Sequence, residues 1–416
     1  MKILQVSKKF PHPPKDGESV AILQMSKSLA AAGCQVSLLA MNTTRHFVDI
    51  GENIAEELHY YQFIRCVKVD NRIHWRGALR NLFSTASYHV TRFVSEDFRK
   101  ALVETLHREE FDIIQLETPY LAPYLPEIKA NSNALVVLRA HNIEHEIWMR
   151  IANQVKFLPK KFYLAHLGKK LRNFELSILN DYDFLVAITD RDLVQFRSLG
   201  YKNGCVASPV GLNFQQYLPD YSAFQRTLTL SFIGSLDWLP NAGAVRWFLQ
   251  EVWPEVHAEM SDVEFHFAGR NAPADLIQLN NPGVHYHPEV VDARAFMLEY
   301  QVMVVPIFAG SGMRVKILEA MALGRVVITT SIGLEGINAR HKEEVIIANS
   351  VADFIESIRY CKENPQAMQK MGERAHRFVV QHFDSNKLGT KLMATYRKVL
   401  STHARDNQEL SRDALS

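Results

Sequence analysis

The sequence predicts an α/β protein with two domains that share one architecture, a parallel sheet with helices packed on its faces. Short apolar segments alternate with helical patterns along most of the chain, and such alternation is typical of parallel sheets. A length of 416 residues is too great for one ordinary core and fits two domains. We expect domains over 1–213 and 214–382, then a final helix with a polar tail over 383–416 that packs back toward the first domain.

The predicted elements follow from hydrophobic periodicity. In the first half we expect strands over 3–6, 36–40, 113–116, 135–138 and 184–188, and helices over 20–32 and 160–179. In the second half we expect strands over 228–233, 263–267, 284–287, 302–305, 326–328 and 345–348. The helices expected there cover 291–300, 352–361, a segment capped by Asn241 that runs through Phe248, and most of 364–400. We expect a loose tail from Ser401 onward.

The composition is that of a globular protein without a strongly charged partner. Hydrophobic residues make up 47% of the chain and charged residues 22%, which is ordinary. The net charge is +2, so nothing in the bulk charge indicates a nucleic-acid partner. The chain opens on an apolar strand instead of a signal peptide, and no apolar stretch reaches the roughly 18 residues that span a bilayer. We expect a cytoplasmic protein, with peripheral membrane association left open.

The cysteines suggest neither a metal site nor a disulfide framework. They are Cys34, Cys66, Cys205 and Cys361. Because they lie far apart and form no C-x-x-C pair, reduced thiols are expected, as is usual in the cytosol.

A glycine loop over 310–312 separates two predicted strands and precedes a helix that ends at Gly324. Backbone N–H groups of such a loop can face an anion, and the positive end of the helix dipole adds to the attraction. Lys316 and Glu319 are three residues apart and so share a helical face, which suits a phosphate and the hydroxyls of a sugar. An ordinary strand–glycine–helix turn is the alternative that remains open.

Two further candidate sites follow predicted strands. The loop over 8–19 leads into a helix opened by Gly17 and Glu18, and the segment over 139–145, which contains His141, follows the strand near 135. Ligands of parallel sheets bind at the carboxyl ends of strands. A plain surface loop and a structural histidine are the alternatives here.

Residues 45–110 mix basic and aromatic side chains. They are Arg72, His74, Trp75, Arg76, Arg80, Arg92 and Arg99, with Phe83, Tyr88, Phe93 and Phe98. Such a mixture can contact an anionic lipid surface or a phosphorylated acceptor. Acidic Glu96, Asp97 and Glu104 dilute the patch and favour a solvated helix face.

Four segments, taken in order and spacing, resemble the retaining GT-B glycosyltransferases of family 4, the glycosyl transferases group 1. They are 209–213, 232–241, 267–269 and 306–319, and the loop is similar to that of a Gly-Ser-Gly subset. The resemblance extends from Gly17 to about Phe383. It implies two Rossmann-like domains facing each other across a cleft, the first binding the acceptor and the second a nucleotide-diphosphate sugar.

The chain departs from the family pattern at two places. Many members of the family carry two Glu residues with seven residues between them. The second Glu corresponds to Glu319 in this chain, but Ser311 occupies the position of the first. The first Glu contacts the donor sugar in the family, so the resemblance predicts nucleotide binding more firmly than sugar identity. The usual Arg after the first strand of the second domain is also missing, which makes Arg314 and Lys316 the nearest cations for the diphosphate.

The resemblance implies the following site. It assigns catalytic roles to His141, Arg314, Lys316 and Glu319. It assigns donor binding to Gly234, Gly310, Ser311, Gly312, Met313, Arg314, Lys316 and Glu319. The residues on the acceptor side are Gly17, Glu18, Asn142 and Glu144. In this scheme no metal ion and no cofactor are needed beyond the donor, the configuration of the sugar is retained, and the domains hinge near 209–226. The acceptor is a glycan, a lipid-linked glycan or another hydroxyl compound, and peripheral inner-membrane association is left open.

Two rival functions remain. A non-hydrolysing nucleotide-sugar epimerase shares the two-domain architecture, although the Lys-Ile-Leu-Glu-Ala segment from Lys316 does not support it. The second rival is a degenerate GT-B protein that binds a nucleotide but has no activity. Ser311 and the missing Arg are the reasons to consider it.

Overall fold

The computed structural model describes residues 1–14, 16–49, 55–72, 81, 84–155, 157–278 and 281–413. Within these ranges the chain forms two parallel sheets in succession, as the sequence predicts. Five residues of the expected basic and aromatic patch lie outside the described residues: His74, Trp75, Arg76, Arg80 and Phe83.

The first sheet contains seven described strands in the order β3-β2-β1-β4-β5-β6-β7. They are β1 (Lys2–Ser7), β2 (Gln35–Thr43), β3 (Tyr61–Val69), β4 (Ile113–Leu116), β5 (Leu135–Ala140), β6 (Phe184–Ala187) and β7 (Gly204–Ala207). The helices of this half are α1 (Gly17–Ala31), α2 (Tyr88–Thr91), α3 (Glu96–Arg108), α4 (Leu125–Asn131), α5 (Glu144–Gln154), α6 (Leu158–Ser177) and α7 (Asp190–Ser198). The strand order reverses between β1 and β4, so the carboxyl ends of these two strands border a crevice.

The second sheet contains six described strands in the order β10-β9-β8-β11-β12-β13. They are β8 (Thr229–Ile233), β9 (Glu264–Ala268), β10 (Val284–His287), β11 (Val302–Val305), β12 (Val326–Thr329) and β13 (Ile346–Ile347). The helices are α8 (Leu239–Trp247), α9 (Trp253–Glu259), α10 (Ala274–Ile277), α11 (Ala293–Leu298), α12 (Val315–Ala322), α13 (Val351–Glu363), α14 (Pro365–His382) and α15 (Ser385–Asp413). A π-helical turn, Phe248–Val252, joins α8 to α9.

Burial on both faces explains why the strands are continuous apolar runs. In β1, Ile3 packs in one hydrophobic cluster while Leu4 and Val6 pack in another. Successive side chains of a strand point to opposite faces, so a sheet covered on both sides needs apolar residues at every position.

The last helix returns to the first sheet. Leu212 forms a β-bridge with Asp384 just before α15 begins. A Cβ at Gly389 would lie 2.4 Å from Cβ of Ser28, so glycine allows α15 to approach α1 closely. The domain boundaries themselves stay predictions.

Several local predictions are wrong. Asn241 does not cap a helix; it lies inside α8, whose N-cap is Trp238 and whose first turn contains Pro240, a residue that suits a helix start. Where the sequence predicted a loose tail from Ser401 onward, α15 continues to Asp413, and residues 414–416 lie outside the described residues. The outer strands β3 and β7 were not predicted.

The described part of the basic and aromatic patch does not form one aromatic surface. Phe93 and Phe98 are buried, and Arg99 pairs with Glu96 and Glu127. The pairing of Arg99 with Glu96 fits the interpretation as a solvated helix face, while the two phenylalanines belong to the core. Among the described residues, no helix combines the length and the apolarity needed to cross a bilayer.

Candidate active site between the two sheets

A buried carboxylate, Glu117, lies at the carboxyl end of β4 and holds two basic side chains. Arg139 donates from Nη1 to Glu117 Oε2 over 3.0 Å, and Nε2 of His141 lies 2.8 Å from the same oxygen. Gln5 and Gln115 donate to Oε1 over 2.6 and 2.5 Å. Because β1, β4 and β5 are neighbours, the ends of three strands meet at this carboxylate.

The electrostatics of this group favour an ionised Glu117 and a neutral His141. Burial opposes ionisation of Glu117, but Arg139 and His141 outweigh it and lower the pKa of Glu117 to about 2. Burial lowers the pKa of His141, and the contact with Glu117 offsets this only in part. A neutral imidazole that donates its Nε2 hydrogen to Glu117 keeps Nδ1 as an acceptor. His141 can therefore accept a hydrogen bond from a hydroxyl group.

The glycine loop of the second sheet contacts His141 and its neighbours. Gly312 has a φ of 72°, and a Cβ there would lie 2.3 Å from the carbonyl oxygen of His141, so this close approach requires glycine. Ser311 Oγ accepts a hydrogen bond from the N–H of Ile143 over 3.2 Å. In the orientation of the Asn142 side-chain amide that satisfies its hydrogen bonds, which exchanges its oxygen and nitrogen, the nitrogen donates to the Ser311 carbonyl over 2.7 Å. The two halves of the chain thus meet at these residues.

The glycine loop begins at Gly310, which has a φ of 136°, and ends at half-buried Met313. The side chain of Arg314 turns back onto this loop. Its Nη1 donates to the carbonyl oxygen of Ser311 over 2.5 Å and also to that of Gly312. Its Nη2 is buried and has no hydrogen-bond partner among the described residues. Burial lowers the pKa of Arg314 to about 10, so the group stays charged at neutral pH. One buried donor is left for an anion.

Lys316 points toward the end of β8. Its Nζ lies 3.0 Å from Asn241 Oδ1 and 4.2 Å from the ring centroid of Phe232. A Cβ on Gly234 would lie 2.3 Å from Nζ, so glycine provides the space for the ammonium. Burial, together with the nearby Arg314, lowers the pKa of Lys316 to about 7. An anion beside Nζ would favour the charged form.

Glu319 lies one turn further along α12. Its Oε1 accepts a hydrogen bond from the Tyr217 hydroxyl over 2.8 Å. Burial raises the pKa of Glu319, and the bond from Tyr217 and the charge of Lys316 counteract this. The contact orients the carboxylate and leaves it able to accept further hydrogen bonds.

Gly17 and Glu18 begin α1, as predicted. A Cβ on Gly17 would make an ordinary contact, 3.4 Å from Val315 Cγ2 at the start of α12. Glu18 forms ion pairs with Lys8 over 3.2 Å and with Lys9 over 3.0 Å. Burial opposes ionisation of Glu18, but the two lysines lower its pKa. A charged cluster therefore lies at the carboxyl end of β1, close to α12.

Glu144 is buried. It is 7% exposed, and its Oε2 accepts a hydrogen bond from the Tyr120 hydroxyl over 2.9 Å. Burial raises its pKa. Glu175 of α6 accepts from the N–H groups of Glu144 and His145 over 3.1 and 2.8 Å, and so caps α5. The acceptor role of Glu144 stays a prediction, as do the roles of the other site residues.

Sequence reasoning missed four side chains of this region: Glu117, Tyr217, Lys8 and Lys9. Three of them directly follow β1 or β4, the kind of position that singled out His141, so the signal was present in the sequence. Tyr217 lies in the expected linker, where no local pattern marks it.

Among the described residues, one group has the composition of a metal site. Ligand atoms of Glu264, His266 and His285 lie within 4.8 Å of one another. These residues belong to β9 and β10 and include none of the predicted donor-site residues. The glycine loop and its cations instead suit an anion.

A segment of the second half is similar to a known family. Residues 227–364 match the family described as "Glycosyl transferases group 1". An uncharacterized 44.6 kDa protein in the cps region of Klebsiella pneumoniae is 23% identical over 408 residues, covering 93% of this chain and 97% of that protein.

Solved structures share the fold over nearly the whole chain. A sucrose-phosphate synthase from Thermosynechococcus elongatus has a TM-score of 0.72 and 14% identity, covering 97% of this chain and 100% of that one. HepE from Anabaena, in complex with UDP and glucose, has a TM-score of 0.66 and 16% identity, covering 95% and 99%. The predicted GT-B fold is confirmed. The match of residues 227–364 supports an activity of nucleotide-sugar glycosyltransfer for this chain.

Proposed function

We propose that this glycosyltransferase moves a sugar from a UDP-sugar to a hydroxyl group of a glycan or lipid-linked glycan in polysaccharide synthesis. The base is proposed because HepE, which shares the fold, is in complex with UDP and glucose. The pathway is proposed because the Klebsiella pneumoniae relative is in the cps region. Membership of the Gly-Ser-Gly subset is part of the proposal.

The observation that carries the proposal is the convergence of an anion site with a hydrogen-bond acceptor. Gly312 lies against the backbone of His141, Arg314 bonds to the carbonyl groups of the same loop, and Lys316 reaches from the start of α12 to the end of β8. We place the donor diphosphate beside Lys316 Nζ and the buried Nη2 of Arg314, and the ribose hydroxyls on Glu319. His141 Nδ1 would accept a hydroxyl of the donor sugar.

Leaving-group departure places negative charge on the diphosphate. Cations and N–H groups held in position before the reaction stabilise that charge more in the transition state than in the ground state. Lys316 is suited to this role because a bound diphosphate beside Nζ raises the pKa of the ammonium above its value of about 7 and so keeps it charged while the phosphate charge develops.

The acceptor would enter beside the charged cluster at the end of β1. Lys8 and Glu18 lie there with side chains 15% and 21% exposed, so both remain reachable. The acceptor hydroxyl would be oriented by these groups. A lipid-linked acceptor would also bring the protein to the membrane surface.

Substitution of Glu319 tests the donor site. We expect Glu319→Gln to weaken UDP binding by roughly 10- to 100-fold, because a charge-assisted hydrogen bond is lost, and to abolish transfer. Exposed Glu363 on α13 offers a matched control, and Glu363→Gln should bind UDP as the unchanged protein does. Calorimetric titration with UDP, GDP and ADP measures both affinity and base preference.

The rival functions give different results in the same system. A transferase releases free nucleotide only when an acceptor is present, whereas an epimerase converts the sugar without one. A degenerate protein binds nucleotide and does neither. Unchanged turnover in Glu319→Gln would contradict the role of Glu319.

A further inference from the structure

An apolar tip projects from the first half of the chain between α5 and α6. The α5–α6 tip comprises residues 157–163. Three of its side chains are among the most exposed large hydrophobic groups described: Phe157 at 68%, Leu158 at 61% and Phe162 at 71%. Single exposed apolar residues are normal, but a cluster of this density marks an interaction site.

The surface around the tip is basic. Between Glu146 and Glu175 the sequence contains no acidic residue. Lys160, Lys169 and Arg172 are exposed, and Lys161 is half-exposed. A helix that combines protruding aromatic groups with exposed cations has the pattern of an interfacial membrane segment.

The helix that follows the tip is packed on the core. Leu164, Leu167 and Leu171 are buried on the inner side of α6, so its orientation relative to the core is determined. Lys170 on the same helix is buried and bonds to the backbone carbonyl of Asn81. Phe162 therefore lies on the outer side of a packed helix, and Phe157 is the N-cap residue that directly precedes this helix.

We propose that the α5–α6 tip inserts into the interface of an anionic phospholipid membrane, with Phe157, Leu158 and Phe162 as anchors. Basic side chains on α6 supply the attraction to anionic headgroups, since polybasic segments bind such surfaces. This goes beyond the proposed transfer reaction and does not depend on its donor. It places the membrane contact on α6, whereas the sequence had drawn attention to residues 72–99.

The position of the tip also suits an acceptor carried by a lipid. Helix α5 begins three residues after His141, and Glu175 of α6 caps its first turn. The two helices thus connect the cleft directly to the proposed membrane contact. An acceptor held in the membrane would reach the cleft without the protein releasing the surface.

Vesicle flotation tests the proposal. We expect the full chain to float with vesicles that contain phosphatidylglycerol. Its binding to pure phosphatidylcholine vesicles should be weaker by about tenfold or more. The double variant Phe157→Ser/Phe162→Ser should lose binding by about tenfold or more. The double variant Lys160→Gln/Lys161→Gln should lose the preference for anionic vesicles.

Matched controls separate a local effect from a general one. Val194 and Leu218 are 66% and 72% exposed elsewhere on the chain, and Val194→Ser/Leu218→Ser should leave vesicle binding unchanged. UDP titration of every variant checks that the donor half is intact, so a failure of the membrane proposal is distinguishable from a failure of the donor assignment. Failure of the unchanged protein to float, or equal flotation of the phenylalanine variant, would overturn the proposal.

Discussion

At the scale of single residues, burial shifts the pKa values of the two ionisable groups that face the proposed donor in opposite directions, and it disfavours the charged form of both. Lys316 is pushed toward its neutral form, and Glu319 toward its protonated form, because both lose contact with water. Each is therefore sensitive to a charged ligand. The Tyr217 hydroxyl and the Asn241 amide hold the two side chains in place before a ligand arrives.

The pKa of Lys316 predicts a pH dependence of donor binding. Below pH 7 the ammonium is already charged, so affinity should be constant; above the pKa of about 7, binding must be accompanied by proton uptake. Affinity for a nucleotide sugar should then fall by up to about tenfold per pH unit. Titration between pH 6 and 9 in buffers of different ionisation enthalpy measures both the affinity and the proton uptake.

Lys316→Arg is the control for this prediction, since a guanidinium keeps its charge across that range. The variant should bind with a flat pH profile even if its affinity is lower. Identical profiles for the two proteins would show that Lys316 does not carry the dependence.

At the scale of elements, α15 connects the end of the chain to the site in the first half. Tyr396 is fully buried, and its hydroxyl donates to Gln115 Oε1 over 2.6 Å. Gln115 donates in turn to Glu117, which holds His141. The helix thus supports the position of the histidine from behind the sheet.

Removal of that hydroxyl should destabilise the protein. Tyr396→Phe leaves a buried acceptor on Gln115 without its partner, and we expect the free energy of unfolding to fall by about 1–3 kcal/mol. Transfer should slow while UDP affinity stays unchanged, because the donor half is untouched. Denaturant unfolding and a comparison of kcat with KM measure these effects.

Tyr360 on α13 is 40% exposed, so Tyr360→Phe should change stability by less than about 0.5 kcal/mol. Equal stability and activity of Tyr396→Phe and the unchanged protein would contradict the supporting role of α15.

At the scale of the whole molecule, Arg150 joins the two halves next to the cleft. Its Nη1 and Nη2 donate to Glu335 Oε2 and Oε1 over 2.9 and 3.0 Å, and Nη1 also bonds to the Gly310 carbonyl. Such a paired geometry combines orientation with strength. With the contacts of Gly312, it holds the glycine loop against the first half.

Loss of Arg150 should loosen this arrangement. We expect Arg150→Met to raise the radius of gyration of the unliganded protein in X-ray scattering, since hinge motion is then less opposed. Donor affinity should drop several-fold because the cleft is less often closed.

Arg359 pairs with Glu259 within the second half over 2.5 Å, which makes Arg359→Met the matched control. A scattering curve for Arg150→Met that overlays that of the control would argue against an interdomain role.

The sequence alone determined the elements and the class of site. Strands buried on both faces are continuous apolar runs, and a glycine loop before a helix is a local pattern, so β11, α12 and β12 were predictable. The outer strand β3 was not, because its intermediate burial breaks the apolar run. Asn241 was misplaced because a capping preference is weak beside a proline at a helix start.

Only the tertiary structure decided which side chains meet. Glu117 and His141 are 24 residues apart, and Ile143 and Ser311 are 168 apart. Such pairs cannot be predicted from the local periodicity of the sequence, since their contact depends on strand order and on how the two halves pack. The sequence therefore predicted an anion site at the start of α12, while the folded chain showed that the glycine loop before this helix lies against His141, which a buried carboxylate holds.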